Sequence, residues 1–90
     1  MVASEIRDAR KWYKNISDNL ESRIVEEIKK GIRKIAENPL QYQVKYKNIR
    51  TVYLENFRYG IHYVFNDNCS LTILAFIHTT RDFRILEERL

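Results

Sequence analysis

Apolar positions recur along this chain at two different spacings. In the first segment they fall every three or four residues, at Val2, Ile6, Ala9, Tyr13 and Ile16. A second set with the same spacing runs from Leu20 to Ile35. This spacing places apolar side chains on one face of a helix. The sequence therefore predicts two amphipathic helices, at about residues 3–16 and 18–37.

Polar residues and a proline mark the ends of the second helix. Ser17 or Asp18 can accept hydrogen bonds from the first free amides of that helix. At its other end Pro39 disfavours a helical conformation for Asn38. Because the connection between the helices is so short, we expect them to form an antiparallel hairpin.

After Pro39 the sequence favours strands, which we predict at about residues 48–55, 58–66 and 70–79, rich in branched and aromatic residues. Residues 42–46 are either a short extra strand or an extended lead-in. The short connections require antiparallel pairing. We therefore predict a single α+β domain over residues 1–90, in which the helix hairpin packs on one face of a three- to four-stranded antiparallel sheet.

Composition narrows the class of protein. The 90 residues are 44% hydrophobic and 31% charged, which is typical of one compact globular domain. No apolar run approaches the ~20 residues of a membrane span, and the N-terminus lacks the apolar stretch of a secretory signal. The single Cys69 has no second thiol with which to bind a metal. We expect a cytoplasmic protein with no membrane, metal or cofactor.

The net charge of +4 is concentrated in the first helix and in residues 38–63. Strand alternation places Arg58 and His62 on the side of the sheet opposite Tyr59 and Ile61. We therefore predict an apolar face covered by the helices and a second, open face with a basic edge. The residues of that edge are Lys45, Lys47, Arg50, Arg58 and His62. Such a surface suits nucleic acid or an acidic protein.

The order of these segments resembles a known family. The stretch NPLQYQVKYKNIRTVYLENFRYGIHYVF, followed by LTILAFIHTTRD, is similar to the RelE/ParE superfamily of type II toxin–antitoxin toxins. The similarity is strongest to the ParE-like, plasmid-stabilisation branch and extends from about Glu5 to Asp82. Its most specific marks are the Asn-Pro after the second helix, KYKNIR, the F-x-Y-G-I-H-Y strand and the closing H-x-x-R-D.

The resemblance implies a toxin that inhibits growth when free and is neutralised by a cognate antitoxin. Relatives either cut messenger RNA in the ribosome or poison DNA gyrase. The family normally opens with a strand before the first helix, and the three residues MVA are too short to form one. We therefore expect a sheet edge without its usual neighbour, covered by a homodimer partner or by an antitoxin strand.

The sequence departs in two places from the pattern of the ribosome-dependent nucleases, and both bear on the choice of target. Gly60 occupies the strand position where the ribosome-dependent nucleases typically carry an arginine, and the tail FRILEERL lacks a tyrosine that some of them use. The candidates for catalysis are Arg50, Arg58, His62, His78 and Arg81. The expected target-binding residues are Lys45, Lys47, Arg50, Arg58 and Arg81.

We therefore expect growth inhibition by binding a macromolecular target such as DNA gyrase, with no bond-making chemistry. One alternative is a RelE-type endonuclease that cuts messenger RNA on the ribosome, and another is an inactive remnant that only binds antitoxin. His78 ends an apolar strand, where bonding to a nearby polar group is its expected role. Trp12 lies just off the apolar face of the first helix, and we expect it in the core or at its edge. An exposed Trp12 would indicate an interface.

Overall fold

The computed structural model describes residues 2–81 and 83–90. Two helices come first, then four strands and a short 3₁₀ helix, η1: α1 (Val2–Ile16), α2 (Asp18–Glu37), β1 (Val44–Tyr46), β2 (Ile49–Tyr53), β3 (Tyr59–Phe65), β4 (Leu71–His78) and η1 (Phe83–Arg89). The strands form one antiparallel sheet in the order β1-β2-β3-β4. The predicted α+β class is confirmed, and within the described residues no strand precedes α1. No described helix is both long and apolar enough to cross a membrane.

A single residue separates the two helices. Ser17 is the N-cap of α2, and its hydroxyl accepts a hydrogen bond from the backbone N–H of Asn19 at 3.2 Å. At the other end the backbone N–H of Asn38 donates to the carbonyl of Lys34. These caps satisfy backbone groups that have no partner inside the helix, and the short connection folds α1 back against α2.

The main core lies between the helix hairpin and one face of the sheet. Its largest fully buried side chains are Ile24, Ile35, Ile61, Tyr63 and Phe76. Gly31 lies where α2 passes closest to the sheet. A Cβ atom there would stand 2.8 Å from Cδ1 of Ile61, so the missing side chain allows the close approach.

Polar contacts fix the loop between β2 and β3 to α2. The carboxylate of Glu27 accepts hydrogen bonds from the backbone and side-chain nitrogens of Asn56, at 3.0 and 2.9 Å. Glu55 lies between the ammonium groups of Lys30 and Lys34, which lower the pKa of its carboxyl group. These contacts hold the loop against α2.

We expected the second face of the sheet to be open, but it is covered. The 3₁₀ helix η1 covers it, and Leu86 is completely buried against Ile49 and Ala75. Glu87 of η1 accepts a hydrogen bond from the hydroxyl of Tyr46 and pairs with Lys47 at 3.3 Å. Both faces of the sheet therefore carry an apolar core.

A bulge in β4 supplies part of this second core. Ile73 is opposite Tyr63 and Ala75 is opposite His62, so Leu74 has no partner on β3. Leu74 and its neighbour Ala75 both belong to the second core. A bulge of this kind interrupts the alternation of side chains between the two faces, which explains why LTILAFIH is apolar on both sides.

The outer edge of β4 is one of the two edges of the sheet, and side chains occupy part of it. The backbone N–H of Phe76 donates to the carboxylate of Glu5 at 3.1 Å. Beside it, the guanidinium of Arg89 donates to the carbonyl of Leu74 at 3.3 Å. Groups from α1 and η1 thus satisfy backbone atoms that a neighbouring strand would otherwise use.

Candidate functional site

Three of the predicted site residues meet at one end of the sheet. The backbone N–H of Thr79 donates to the carbonyl of Arg58 at 2.9 Å, which brings the start of β3 next to the end of β4. The N–H of Arg81 donates to the carbonyl of His78 at 3.0 Å, closing a turn. Arg58, His78 and Arg81 therefore share this end, which we call the arginine end of the sheet.

Neither arginine at this end has an acidic partner among the residues that the structure describes. Arg58 and Arg81 are exposed, and neither side chain forms an ion pair or hydrogen bond with another described residue. Asp82, which closes the H-x-x-R-D pattern, lies outside the described residues. Two guanidinium groups without a described acidic partner are suited to carboxylate or phosphate groups of another molecule.

Arg81 lies beside a cleft between α1 and β4, which we call the α1–β4 cleft. The stacked rings of Tyr59 and Phe76, with centroids 4.7 Å apart, form part of its wall. Trp12 of α1 also lines it and is 65% exposed. An aromatic side chain this exposed, beside an arginine, is typical of a protein interface.

A second, smaller cleft lies on the other side of Arg81, and we call it the sheet-end cleft. Tyr53 lines it and is 45% exposed. Sequence reasoning missed this residue. In the β2–β3 ladder Tyr53 lies directly across from Gly60. An aromatic side chain commonly packs over a strand glycine, so this pairing is the signal that could have indicated Tyr53.

Gly60 has no room for a side chain. A Cβ atom there would lie 3.0 Å from Cγ2 of Thr51 and 3.3 Å from both Cε1 of Tyr53 and Nε2 of His62. An arginine at this position would have to displace Tyr53 or Thr51. The glycine therefore follows from packing around the sheet-end cleft.

His62 is buried on the face of the sheet that η1 covers, with 2% of its surface exposed, and it borders the sheet-end cleft. Its Nδ1 lies 2.8 Å from the hydroxyl oxygen of Thr51, within hydrogen-bond distance. Burial lowers the pKa of His62 to about 4, with Glu5 raising it and Arg89 lowering it to smaller extents. The imidazole is therefore neutral at pH 7. It does not belong to an open basic face, and the prediction that placed it there is wrong.

His78 ends β4 with its ring held by local contacts. Its Nδ1 accepts a hydrogen bond from the backbone N–H of Thr80 at 3.2 Å and lies 2.9 Å from the hydroxyl of that residue. The ring also meets the ring of Tyr59 edge to face, with centroids 5.4 Å apart. His78 borders both clefts, so its ring helps to shape the surface around Arg81.

The other predicted basic residues lie elsewhere. Arg50 is opposite Tyr63, toward the far end of the β2–β3 ladder, and donates to the carbonyl of Tyr42 at 2.5 Å. Lys47 pairs with Glu87, and Lys45 donates to the side chain of Gln43 at 3.3 Å. The structure thus groups Arg58 with Arg81 and separates them from these three. Within the described residues, no three His, Cys, Asp or Glu side chains are close enough to hold a metal ion.

Comparison with known families identifies the chain. A family model described as the ParE toxin of the type II toxin-antitoxin system, parDE, matches residues 2–83. The chain belongs to the ParE toxin family. This ParE-family protein is therefore the toxin component of a type II toxin–antitoxin system and pairs with a cognate antitoxin. No curated protein matches it significantly.

Proposed function

We propose that this ParE-family toxin inhibits growth by binding DNA gyrase, with no bond-making chemistry of its own. The observation that carries the proposal is the burial of His62. A general acid or base must lie within hydrogen-bond distance of the reacting atom. His62 borders the sheet-end cleft but is 2% exposed, and its Nδ1 is already close to Thr51, so its imidazole offers little surface to a substrate.

The surface that remains accessible is suited to binding. Arg58 and Arg81 present two guanidinium groups without described acidic partners, and Trp12 and Tyr53 lie in the clefts that Arg81 borders. Aromatic residues and arginines contribute most of the binding energy in many protein interfaces. We infer that the arginine end of the sheet contacts acidic groups of gyrase, while the aromatic side chains supply apolar contact.

Gly60 adds support through the resemblance to the ribosome-dependent nucleases. The nucleases that this chain resembles typically carry an arginine at that position, and here the surrounding Thr51 and Tyr53 fill the space. Without that cation, the charge that develops on a scissile phosphate loses one stabilising partner. A nuclease mechanism would have to use Arg58 and Arg81 in its place.

One observation favours the alternative, a ribosome-dependent endonuclease that cuts messenger RNA. His78 lies next to Arg81 in both clefts, and an imidazole beside guanidinium groups is a combination that can protonate a leaving oxygen and hold a phosphate. In that mechanism Arg50 would be too far along the ladder to join them, because it lies opposite Tyr63.

Two assays on the purified toxin separate these functions. We expect inhibition of gyrase supercoiling with accumulation of cleaved DNA, and no cutting of messenger RNA in a cell-free translation system. Arg58→Ala and Arg81→Ala should each weaken gyrase inhibition at least tenfold. Arg33→Ala on α2, an exposed arginine without an ion pair to another described residue, is the matched control and should not.

The opposite results contradict the proposal. Rapid cutting of messenger RNA with unchanged supercoiling would establish the endonuclease. A folded toxin that binds its antitoxin but is inert in both assays would be the inactive remnant. Equal inhibition of gyrase by all three variants would show that the arginine end of the sheet is not part of the contact surface.

A further inference from the structure

Four basic side chains form a continuous row along the solvent side of α1. Arg7, Arg10, Lys11 and Lys14 are spaced by three, one and three residues, which places them on one face of the helix. All four are exposed, and they line one open cleft together with Glu21 of α2. We call this row the α1 basic ridge.

Most of this charge has no acidic partner. Only Arg10 approaches an acid, with its Nε 3.7 Å from the carboxylate of Glu21. Arg7, Lys11 and Lys14 form no ion pair with any described residue. Like charges four residues apart, as in Arg7 and Lys11, destabilise a helix. The ridge is therefore an unfavourable arrangement for the free protein that an anionic partner would relieve.

The lining of the ridge indicates the chemistry of that partner. It contains five charged residues and no aromatic or aliphatic one. Protein interfaces usually have an apolar or aromatic centre and are depleted of lysine. The exposed aromatic residue of α1, Trp12, lines the α1–β4 cleft instead. A surface of four cations and one carboxylate, with no apolar centre, is typical of contact with a phosphate backbone, which gives affinity without sequence reading.

The length of the ridge suits that partner. From Arg7 to Lys14 the helix rises about 10 Å, at about 1.5 Å per residue. Phosphates of one strand of B-DNA follow one another about every 3.4 Å along the helix axis. The ridge therefore matches the axial rise of about three base pairs, and its four cations can face phosphates over that rise.

We propose that the α1 basic ridge binds the phosphate backbone of double-stranded DNA without sequence preference. The choice of DNA over duplex RNA rests on the proposed function, because gyrase acts on duplex DNA. The toxin then has two contact surfaces, with the arginine end of the sheet on gyrase and α1 on the DNA that the enzyme holds.

Fluorescence anisotropy with a labelled 25-base-pair DNA duplex tests the ridge on the free toxin. With about three phosphates neutralised, affinity should fall about 40-fold between 50 and 200 mM salt. The triple variant Arg7→Gln, Lys11→Gln, Lys14→Gln should bind at least tenfold more weakly than the wild type. Glutamine keeps a high helix propensity, so α1 should remain folded, which circular dichroism checks.

The matched control is Arg23→Gln, Lys29→Gln, Arg33→Gln on α2. Both triple variants lower the formal net charge from +4 to +1, and the replaced side chains are exposed in both. The control should bind DNA within about threefold of the wild type. Equal losses in the two variants would mean that net charge alone attracts DNA, and the inference would be wrong.

Three further results would decide against DNA binding by the α1 basic ridge. Absence of binding at 50 mM salt, tighter binding of duplex RNA than of DNA, or equal competition by an acidic peptide would overturn the inference. Gyrase assays keep it distinct from the proposed function. If the wild type binds DNA through the ridge but leaves supercoiling unchanged, the ridge stands and the gyrase proposal fails. If it inhibits gyrase yet binds no DNA, the gyrase proposal is supported and the inference about the ridge is wrong.

Discussion

Glu5 and Arg89 form an ion pair with two hydrogen bonds that joins α1 to η1 across the free edge of β4. The two guanidinium nitrogens of Arg89 donate to the two carboxylate oxygens of Glu5, at 2.8 and 2.9 Å. Only 17% and 19% of the two side chains is exposed. Since the same groups also bond to β4 through Phe76 and Leu74, the pair holds three elements together.

We predict that breaking this pair destabilises the fold. Arg89→Met should lower the free energy of unfolding by about 2–3 kcal/mol, because it leaves a largely buried carboxylate without its counter-ion. Glu5→Gln should cost less, since the amide oxygen still accepts from Phe76. Urea unfolding of both single variants and the double variant measures the coupling. Arg33→Met is the exposed control and should cost no more than about 0.5 kcal/mol, and a coupling of zero would contradict the prediction.

His62 should make stability depend on pH. In the unfolded chain its pKa returns to the ordinary 6.5, whereas in the folded protein it is about 4. Between these values the unfolded state binds the additional proton, so stability is lost as pH falls from 6.5 toward 4. From pH 7.5 to 5.5 we expect a loss of about 1 kcal/mol in the free energy of unfolding.

The replacement of His62 tests this pH dependence directly. His62→Gln should be less stable at neutral pH but should lack the loss between pH 7.5 and 5.5. His78→Gln removes the other histidine of the chain and should retain it. The same slope in both variants would place its origin elsewhere in the protein.

The two glycines should respond differently to alanine. Gly60→Ala places a Cβ atom against Thr51, His62 and Tyr53 at 3.0–3.3 Å, and should cost about 1–3 kcal/mol because the packed strands cannot separate easily. Gly31→Ala meets only the terminal Cδ1 atom of Ile61, at 2.8 Å, which a change of side-chain rotamer can withdraw, and it gains up to about 1 kcal/mol of helix propensity. We expect its stability within about 1 kcal/mol of the wild type by urea unfolding. A more severe effect at Gly31 would contradict this comparison.

Trp12 should report occupation of the α1–β4 cleft. It is the only tryptophan of the chain and is 65% exposed, so the free toxin should emit at a long wavelength. Binding of the cognate antitoxin over this cleft should shift the emission to shorter wavelength, because the indole leaves water. Unchanged emission in a complex demonstrated by light scattering would place the antitoxin elsewhere.

The same signal separates the two occupants expected at the sheet edge. A shift that grows with toxin concentration alone, together with a doubled mass by light scattering, would indicate a homodimer through this edge. A shift only with antitoxin would favour a strand or helix supplied by that partner.

The helix hairpin and the antiparallel sheet were predictable because each leaves a local signal. The three- and four-residue spacing of apolar residues defines α1 and α2, and Pro39 limits α2. The second core was not predictable. Seven residues of η1 are too few to show a periodicity, and the burial of Leu86 depends on contacts with β2 and β4 that are distant in sequence.

The location of the site was only partly predictable for the same reason. The strand pattern correctly placed His62 on the face away from the helices, but nothing nearby in sequence indicates that η1 covers it. Arg50 and Arg58 are only eight residues apart, yet the β2–β3 hairpin directs them toward opposite ends of the sheet. Trp12 was expected in the core or at its edge, but it is 65% exposed, and its position just off the apolar face of α1 accounts for the difference.

The ion pair between positions 5 and 89 also sets an order of events during synthesis. Helices and neighbouring strands form from contacts close in sequence, which assemble early. Leu86 and Arg89 leave the ribosome after β4, so until then the carbonyl of Leu74 lacks its guanidinium partner and the second face of the sheet lacks the side chain that covers it. The nascent toxin therefore carries an unprotected strand edge and an uncovered face, and an antitoxin made beside it would meet that surface before the finished toxin closes it.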